Sequence, residues 1–123
     1  MKDRILVVED DPDILDLVQG TLLSEGYDTE GVTSAPAAMD LVHDSRVPDL
    51  VVLDVGLPGM NGLQLLEQLR SGGAELPAVF LSARVMPDDI EAGRALGAIY
   101  LTKPFVISSF LAAVKQALHP RYW

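Results

Sequence analysis

The sequence has no cysteine and few basic residues, with 9 Lys and Arg against 18 Asp and Glu. The absence of cysteine excludes disulfide scaffolds and cysteine metal sites, and it is typical of the cytoplasm, where we expect this protein. The formal net charge of −9 argues against direct nucleic-acid binding, since phosphate backbones attract basic surfaces. No apolar run approaches the roughly 18 residues that a membrane span needs, and the charged first residues have no long apolar stretch behind them of the kind expected in a signal peptide. We therefore expect no membrane association.

Apolar residues, in contrast, make up 49% of the 123 positions. This content excludes intrinsic disorder, and the length suits one domain with its own core. We expect that domain to cover residues 1–119, and we interpret residues 120–123 as a tail or the stub of a linker.

Short apolar runs alternate along the chain with amphipathic stretches. The runs are rich in β-branched residues and lack polar alternation, which is typical of strands buried on both faces. They predict strands over residues 5–8, 50–53, 78–81 and 98–101. A further strand is predicted over residues 27–32, where Gly31 weakens the pattern. The amphipathic stretches predict five helices. The first runs from Pro12 to a stop at Gly26, the second follows a cap at Thr33 or Ser34, and the third contains Leu63, Leu66 and Leu69. The fourth and fifth cover residues 88–96 and 108–118. Five such strands joined by helices predict a doubly wound, parallel α/β sheet.

In a sheet of this kind, ligands bind beyond the carboxyl ends of the strands. The residues at those ends are Glu9, Asp10, Asp11, Asp54, Ser82 and Lys103. Crowded carboxylates repel each other unless a cation lies among them, and hard oxygen ligands favour Mg²⁺, with Mn²⁺ or Ca²⁺ as substitutes. A lysine and a hydroxyl beside the ion would complete a cradle for a phosphoryl group. Asp11 is better explained as the cap of the first helix.

These residues and their surroundings resemble the receiver domain of two-component response regulators. The matching segments are ILVVEDD at 5–11, PDLVVLD at 48–54, LPGMNG at 57–62, LSA at 81–83 and YLTKPF at 100–105. The resemblance implies a flavodoxin-like sheet with strand order 2-1-3-4-5. It also implies a switch rather than an enzyme, which takes a phosphoryl group from a histidine kinase or phosphotransfer protein by self-catalysed transfer. The phosphorylated state would then change partner binding or self-association.

The resemblance implies a role for each matching residue. Asp54 would be the phospho-acceptor, while Ser82 and Lys103 would each bind a phosphoryl oxygen. The groups implied to hold Mg²⁺ are Glu9, Asp10, Asp54 and the backbone carbonyl of Gly56. Tyr100 would change rotamer together with Ser82, and the Lys103–Pro104 peptide bond is expected to be cis.

The chain departs from the family pattern at two places. The segment from Gly97 to Tyr100 is one residue shorter than is common, and Gly56 replaces a larger side chain that modulates dephosphorylation, as does the residue at the position of Arg84. The last helix is also more apolar than its buried face, predicted to be Leu111, Val114 and Leu118, requires. We hypothesise an interface for a downstream effector or a second copy on helix four, strand five and helix five, formed by Ile99, Tyr100, Val106 and Phe110.

Two alternatives remain open for the function. One is a degenerate receiver that binds partners without phosphorylation, against which the complete set of acidic, hydroxyl and lysine residues argues. The other is an aspartyl-phosphate phosphohydrolase, which needs a second acid shortly after its nucleophile, and residues 55–58 contain none. His43 and His119 end no strand and are expected at the surface.

Overall fold

Strands and helices alternate strictly in this computed structural model, which describes residues 2–44, 47–73 and 75–119. The strands are β1 (Arg4–Val8), β2 (Asp28–Val32), β3 (Leu50–Leu53), β4 (Ala78–Ser82) and β5 (Ile99–Thr102). The helices are α1 (Pro12–Ser24), α2 (Ala35–Asp44), α3 (Gly62–Arg70), α4 (Pro87–Ala95) and α5 (Ile107–Leu118). The predicted tail at residues 120–123 lies outside the described residues.

The five strands form one parallel sheet in the order β2-β1-β3-β4-β5. The predicted fold class and strand order are therefore confirmed. The central strand β3 is buried at every position, as its unbroken Leu-Val-Val-Leu run predicts. Because all strands are parallel, their carboxyl ends meet at the same edge of the sheet.

The sheet has a hydrophobic core on each face. Helices α1 and α5 cover one face, where Val18 and Phe110 pack against β1, β3 and β4. Helices α2, α3 and α4 cover the other face, where α3 contributes Leu65 and Leu66. Within the described ranges, no helix combines the length and apolar character needed to cross a bilayer.

Short polar side chains begin three of the helices. Asp11 accepts hydrogen bonds from the backbone N–H groups of Asp13 and Ile14, so the prediction that it caps α1 is confirmed. Ser34, of the two predicted candidates, accepts the N–H of Ala37 at the start of α2. Asn61 begins α3 with a reciprocal capping box to Gln64.

The prediction for the buried face of α5 was right for Val114 and wrong for Leu111 and Leu118. The residues of this helix that are buried are Phe110, Ala113 and Val114, whereas Leu111 and Leu118 are half-buried. Phe110 is 0% exposed and packs against the ring of Phe105 at a centroid distance of 5.5 Å. It therefore cannot line an exposed interface, because the helix turns it toward the sheet. Of the other residues in that hypothesis, Val106 is exposed, while Ile99 and Tyr100 are half-buried.

Candidate functional site at the carboxyl edge of the sheet

The strand-end residues converge at the carboxyl edge of the sheet because β1, β3, β4 and β5 are consecutive neighbours there. Lys103 is at the centre of the cluster. Its ammonium group donates one hydrogen bond to Oε1 of Glu9 and a second one, of 2.9 Å, to Oδ2 of Asp54. All three side chains are largely shielded from water, with exposed fractions of 14%, 5% and 12% for Lys103, Glu9 and Asp54. The Lys103–Pro104 peptide bond is cis.

The pKa values of these three groups reflect a competition between burial and ion pairing. Burial is the largest influence on Glu9 and raises the pKa of its carboxyl, although Lys103 opposes this effect. Burial also favours the neutral form of Asp54, but hydrogen bonds from Lys103 and from the N–H of Gly56 outweigh it and lower the pKa. For Lys103, the two carboxylates outweigh the effect of burial and raise the pKa of the ammonium group. Asp54 and Lys103 are therefore both held in their charged forms.

The three acidic residues of the edge also lie close to one another. Glu9, Asp10 and Asp54 each offer a carboxylate oxygen, and these oxygens lie within 4.8 Å of one another. Glu9 is buried, Asp54 is half-buried and Asp10 is exposed, so the group opens toward water on one side. Hard oxygen donors in this number suit Mg²⁺ or a similar divalent cation, which would offset more negative charge than Lys103 alone. The residues present therefore fit the predicted metal ion.

The backbone around Asp54 orients its carboxylate. The N–H of Gly56 donates to Oδ1 of Asp54 at 3.0 Å, which leaves Oδ2 for Lys103. Gly62, the first residue of α3, lies so close that an added Cβ would be 2.0 Å from the backbone oxygen of Asp54. Only glycine allows α3 to approach the end of β3 this closely. The sequence alone does not indicate this role for Gly62, although it is the last residue of the LPGMNG segment.

The predicted switch residues are joined through the backbone of Arg84. Ser82 is fully buried, and its hydroxyl oxygen accepts the N–H of Arg84 at 3.1 Å. The Tyr100 hydroxyl donates to the carbonyl oxygen of the same Arg84 at 2.8 Å. The Tyr100 ring packs against Phe80 with centroids 5.8 Å apart. The sequence pointed to Ser82 and Tyr100 but not to the Arg84 backbone that connects them, because backbone contacts leave no signal in residue type.

Both histidines lie at the surface. His43 and His119 are exposed, with side-chain fractions of 88% and 71%, and each lies beside an aspartate. The predicted surface positions of the histidines are confirmed.

The comparison with known proteins agrees with this geometry. The family model described as the response regulator receiver domain matches residues 5–115. The chain belongs to the response regulator receiver domain family. The receiver domain is thus a signalling module of two-component systems, as the resemblance implied.

Curated relatives of this receiver domain are longer regulators. It is 40% identical over 119 residues to response regulator MprA of Mycobacterium sp. (strain KMS). The matched segment covers 96% of this chain and 51% of MprA. It is 39% identical over 119 residues to the DNA-binding response regulator MtrA of Mycolicibacterium smegmatis, again with 96% of this chain and 51% of the relative. The chain therefore spans about half the length of the curated relatives it matches.

Solved structures of isolated receiver domains match the whole fold. The non-phosphorylated HemR receiver domain from Leptospira biflexa superposes with a TM-score of 0.86 at 33% identity, over 98% of this chain and 100% of that one. A CheY-like receiver domain protein from Methanospirillum hungatei JF-1 superposes with a TM-score of 0.87 at 27% identity, over 96% and 94% of the two chains.

Proposed function

We propose that this receiver domain is a phospho-acceptor switch in which Asp54 takes a phosphoryl group from a histidine kinase or a phosphotransfer protein. The observation that carries the proposal is the ion pair between Asp54 and Lys103 at the carboxyl edge of the sheet. The carboxylate of Glu9 and the buried hydroxyl of Ser82 lie at the same edge. A carboxylate held ionised next to a fixed cation suits nucleophilic attack on phosphorus. The phosphorylated state would then change partner binding or self-association.

The metal ion of the proposal is Mg²⁺, held by Glu9, Asp10, Asp54 and the backbone carbonyl of Gly56. When bound, it supplies positive charge that neutralises the phosphoryl oxygens. The acidic cluster within 4.8 Å supports three of these ligands. The carbonyl of Gly56 stays a prediction from the family resemblance.

The residues of the chain have separate tasks in the transfer. An Asp54 carboxylate oxygen forms the new bond to phosphorus while the phosphorus–nitrogen bond to the donor histidine breaks, and the electron pair of that bond leaves with the nitrogen. The Lys103 ammonium group, already within hydrogen-bond distance of Oδ2 of Asp54, would bind a phosphoryl oxygen as the negative charge there grows. The Ser82 hydroxyl can donate to another oxygen while still accepting the N–H of Arg84. Lys103 and Ser82 are thus expected to speed the step without forming covalent bonds.

The output would begin at Ser82, because its contacts lead away from the site. In this switch, Arg84 and Tyr100 can each occupy more than one position. When Ser82 binds a phosphoryl oxygen, the populations of these positions shift only as far as the affinity for the phosphoryl group differs among them. Tyr100 belongs to β5 and its ring lies against Gly93 of α4, so this shift would alter the surface that a downstream effector or a second copy contacts.

Incubation with a small phosphodonor such as acetyl phosphate and Mg²⁺ tests the proposal. We expect one acid-stable, base-labile phosphate per chain, lost in Asp54→Asn and retained in the matched control Asp40→Asn, which changes an exposed aspartate on α2. Continuous release of phosphate without stable labelling would favour a phosphohydrolase. No labelling of the wild-type chain would favour a degenerate receiver that acts as a binding module.

The wider pathway follows from the relatives only by analogy. MtrA is a DNA-binding response regulator, and this chain covers about half of such a protein. We propose that any DNA binding in this pathway belongs to a separate domain or protein, since the receiver domain itself carries a net charge of −9.

A further inference from the structure

Helix α4 meets the sheet through a glycine. Among residues 87–95, all of them described, Gly93 is the one that is buried. A Cβ added there would lie 2.8 Å from Cδ2 of Tyr100 and 3.3 Å from Cδ2 of Phe80. Carbon atoms of neighbouring side chains do not approach to 2.8 Å without a shift, so the edge of the Tyr100 ring occupies the space that a side chain at position 93 would need.

A second helical glycine provides a comparison. Glycine weakens a helix interior because it loses more backbone freedom on folding than alanine does. Gly20 in α1 has no atom within 4 Å of its missing Cβ, so alanine would fit there without contact. Both positions are glycines inside helices, but of the two only Gly93 has other side chains in the space that an added Cβ would occupy.

The Tyr100 ring is held on three sides. Gly93 lies against one edge, Phe80 packs against the ring with the two ring planes tilted by 34°, and the Arg84 carbonyl accepts its hydroxyl at 2.8 Å. The N–H of the same Arg84 donates to Ser82. A displacement of the ring therefore releases a carbonyl that belongs to the residue bound to Ser82.

We propose that Gly93 is a positioning residue: its missing side chain admits the Tyr100 ring to the position in which the hydroxyl reaches the Arg84 carbonyl, and so connects Tyr100 to Ser82. The proposal rests on the function proposed above for its link to Asp54, but the position of the ring can be measured without phosphorylation.

The structure also indicates which group yields when the space is filled. Phe80 is 0% exposed and lies in the core on the same face of the sheet, whereas Tyr100 is half-buried. In Gly93→Ala the Tyr100 ring therefore moves and Phe80 stays. The moved ring loses its hydrogen bond to Arg84, and the population of the connected arrangement falls.

NMR of the unphosphorylated chain with ring-¹³C-labelled tyrosine tests the position directly. The chain has 3 tyrosines, and Tyr100→Phe identifies the signal of interest. We expect Gly93→Ala to displace the Tyr100 signal and Gly20→Ala to leave it in place. An unmoved Tyr100 signal in a folded Gly93→Ala variant would overturn the proposal.

Thermal unfolding keeps the proposal falsifiable should Gly93→Ala fold poorly. Gly20→Ala is expected to raise the unfolding midpoint by roughly 3 to 5 °C through helix propensity alone. Gly93→Ala is expected to lower the midpoint in the wild-type background and to raise it in a Tyr100→Ala background, where the ring is gone. A decrease of the same size in both backgrounds would contradict the role of the ring.

Phosphorylation then tests the connection. With acetyl phosphate and Mg²⁺, the wild-type Tyr100 signal is expected to change, and Gly93→Ala is expected to reduce that change at least threefold while one phosphate per chain is still incorporated. A full-sized change in Gly93→Ala would refute the connection. If the wild-type chain takes up no phosphate, the proposed function fails, and the signal of the unphosphorylated chain still decides the role of Gly93.

Discussion

Replacement of Asp10 by asparagine should have opposite effects on stability with and without a divalent cation. Oxygens of Glu9, Asp10 and Asp54 lie within 4.8 Å of one another, and Lys103 contacts the first and the last of these residues. Asp10 is exposed, so its repulsion from each neighbour is that of a water-like dielectric, about 0.9 kcal/mol per pair at 4.8 Å. Attraction to Lys103 offsets part of that sum. We expect Asp10→Asn to raise the free energy of unfolding by about 1 kcal/mol in chelator.

Magnesium should reverse the order of stability. A ligand that binds only the folded state at about 100 times its dissociation constant adds about 2.7 kcal/mol to the free energy of unfolding. The wild-type chain should gain this amount, whereas Asp10→Asn should gain little because one of three carboxylate ligands is gone. Without Mg²⁺ the variant is then the more stable protein, and with Mg²⁺ the wild type is.

Urea unfolding followed by circular dichroism, in EDTA and in MgCl₂, measures both free energies with the same slope. Asp11→Asn is the matched control. It removes the same charge one residue further along, and asparagine caps a helix as well as aspartate does, so the response to Mg²⁺ should stay at the wild-type level. The reasoning fails if Asp10→Asn responds to Mg²⁺ as the wild type does, or if it is less stable than the wild type in EDTA.

Three further predictions concern the packing of the site and the core. Gly62→Ala should lower the free energy of unfolding by about 2 to 3 kcal/mol, because the added Cβ would collide with the Asp54 backbone. The control Gly20→Ala should raise the free energy of unfolding by about 1 kcal/mol. Equal effects of the two substitutions in urea unfolding would contradict the proposed collision. Lys103→Met leaves buried carboxylates without their cation, so their pKa values rise above those of the unfolded chain. The expected loss of about 3 kcal/mol at pH 7 should therefore shrink as the pH falls toward 5, and a loss independent of pH would refute the explanation. Phe110→Ala should cost about 3 to 5 kcal/mol because the ring is 0% exposed, and calorimetry showing wild-type stability would place the ring at the surface.

The sequence predicted the strands better than the faces of the helices. A strand such as β3 is buried on both faces, so its unbroken apolar run reveals it without any knowledge of neighbours. In α5, apolar residues occupy both sides of the helix, and spacing alone does not distinguish Phe110 from Leu111. The tertiary contact with Phe105 decides between them, and no local pattern reports it.

The candidate site shows a similar division. Charged residues at strand ends were visible because parallel strands bring their carboxyl ends together, which holds for any sheet of this topology. The close approach of a glycine to a neighbouring group could not be predicted from the sequence. Gly62 and Gly93 matter through distances to Asp54 and Tyr100, and a glycine in the sequence does not say whether its missing side chain meets another group or open solvent, as at Gly20.

The pairing of β5 with β4, rather than the segment before β5, sets the position of the site residues that follow the strand. Tyr100 pairs with Phe80, and Thr102 pairs with Ser82, so the register of β5 is regular up to the carboxyl edge. The N–H of Lys103 then donates to the carbonyl of Ser82 at 2.8 Å, which continues the same ladder into the site. The turn before β5 lies at the opposite end of the strand, where Gly97 takes a positive φ of 74°. Since pairing with β4 places Lys103 at the level of Ser82, the length of that distant turn can vary while the ammonium group still reaches Asp54.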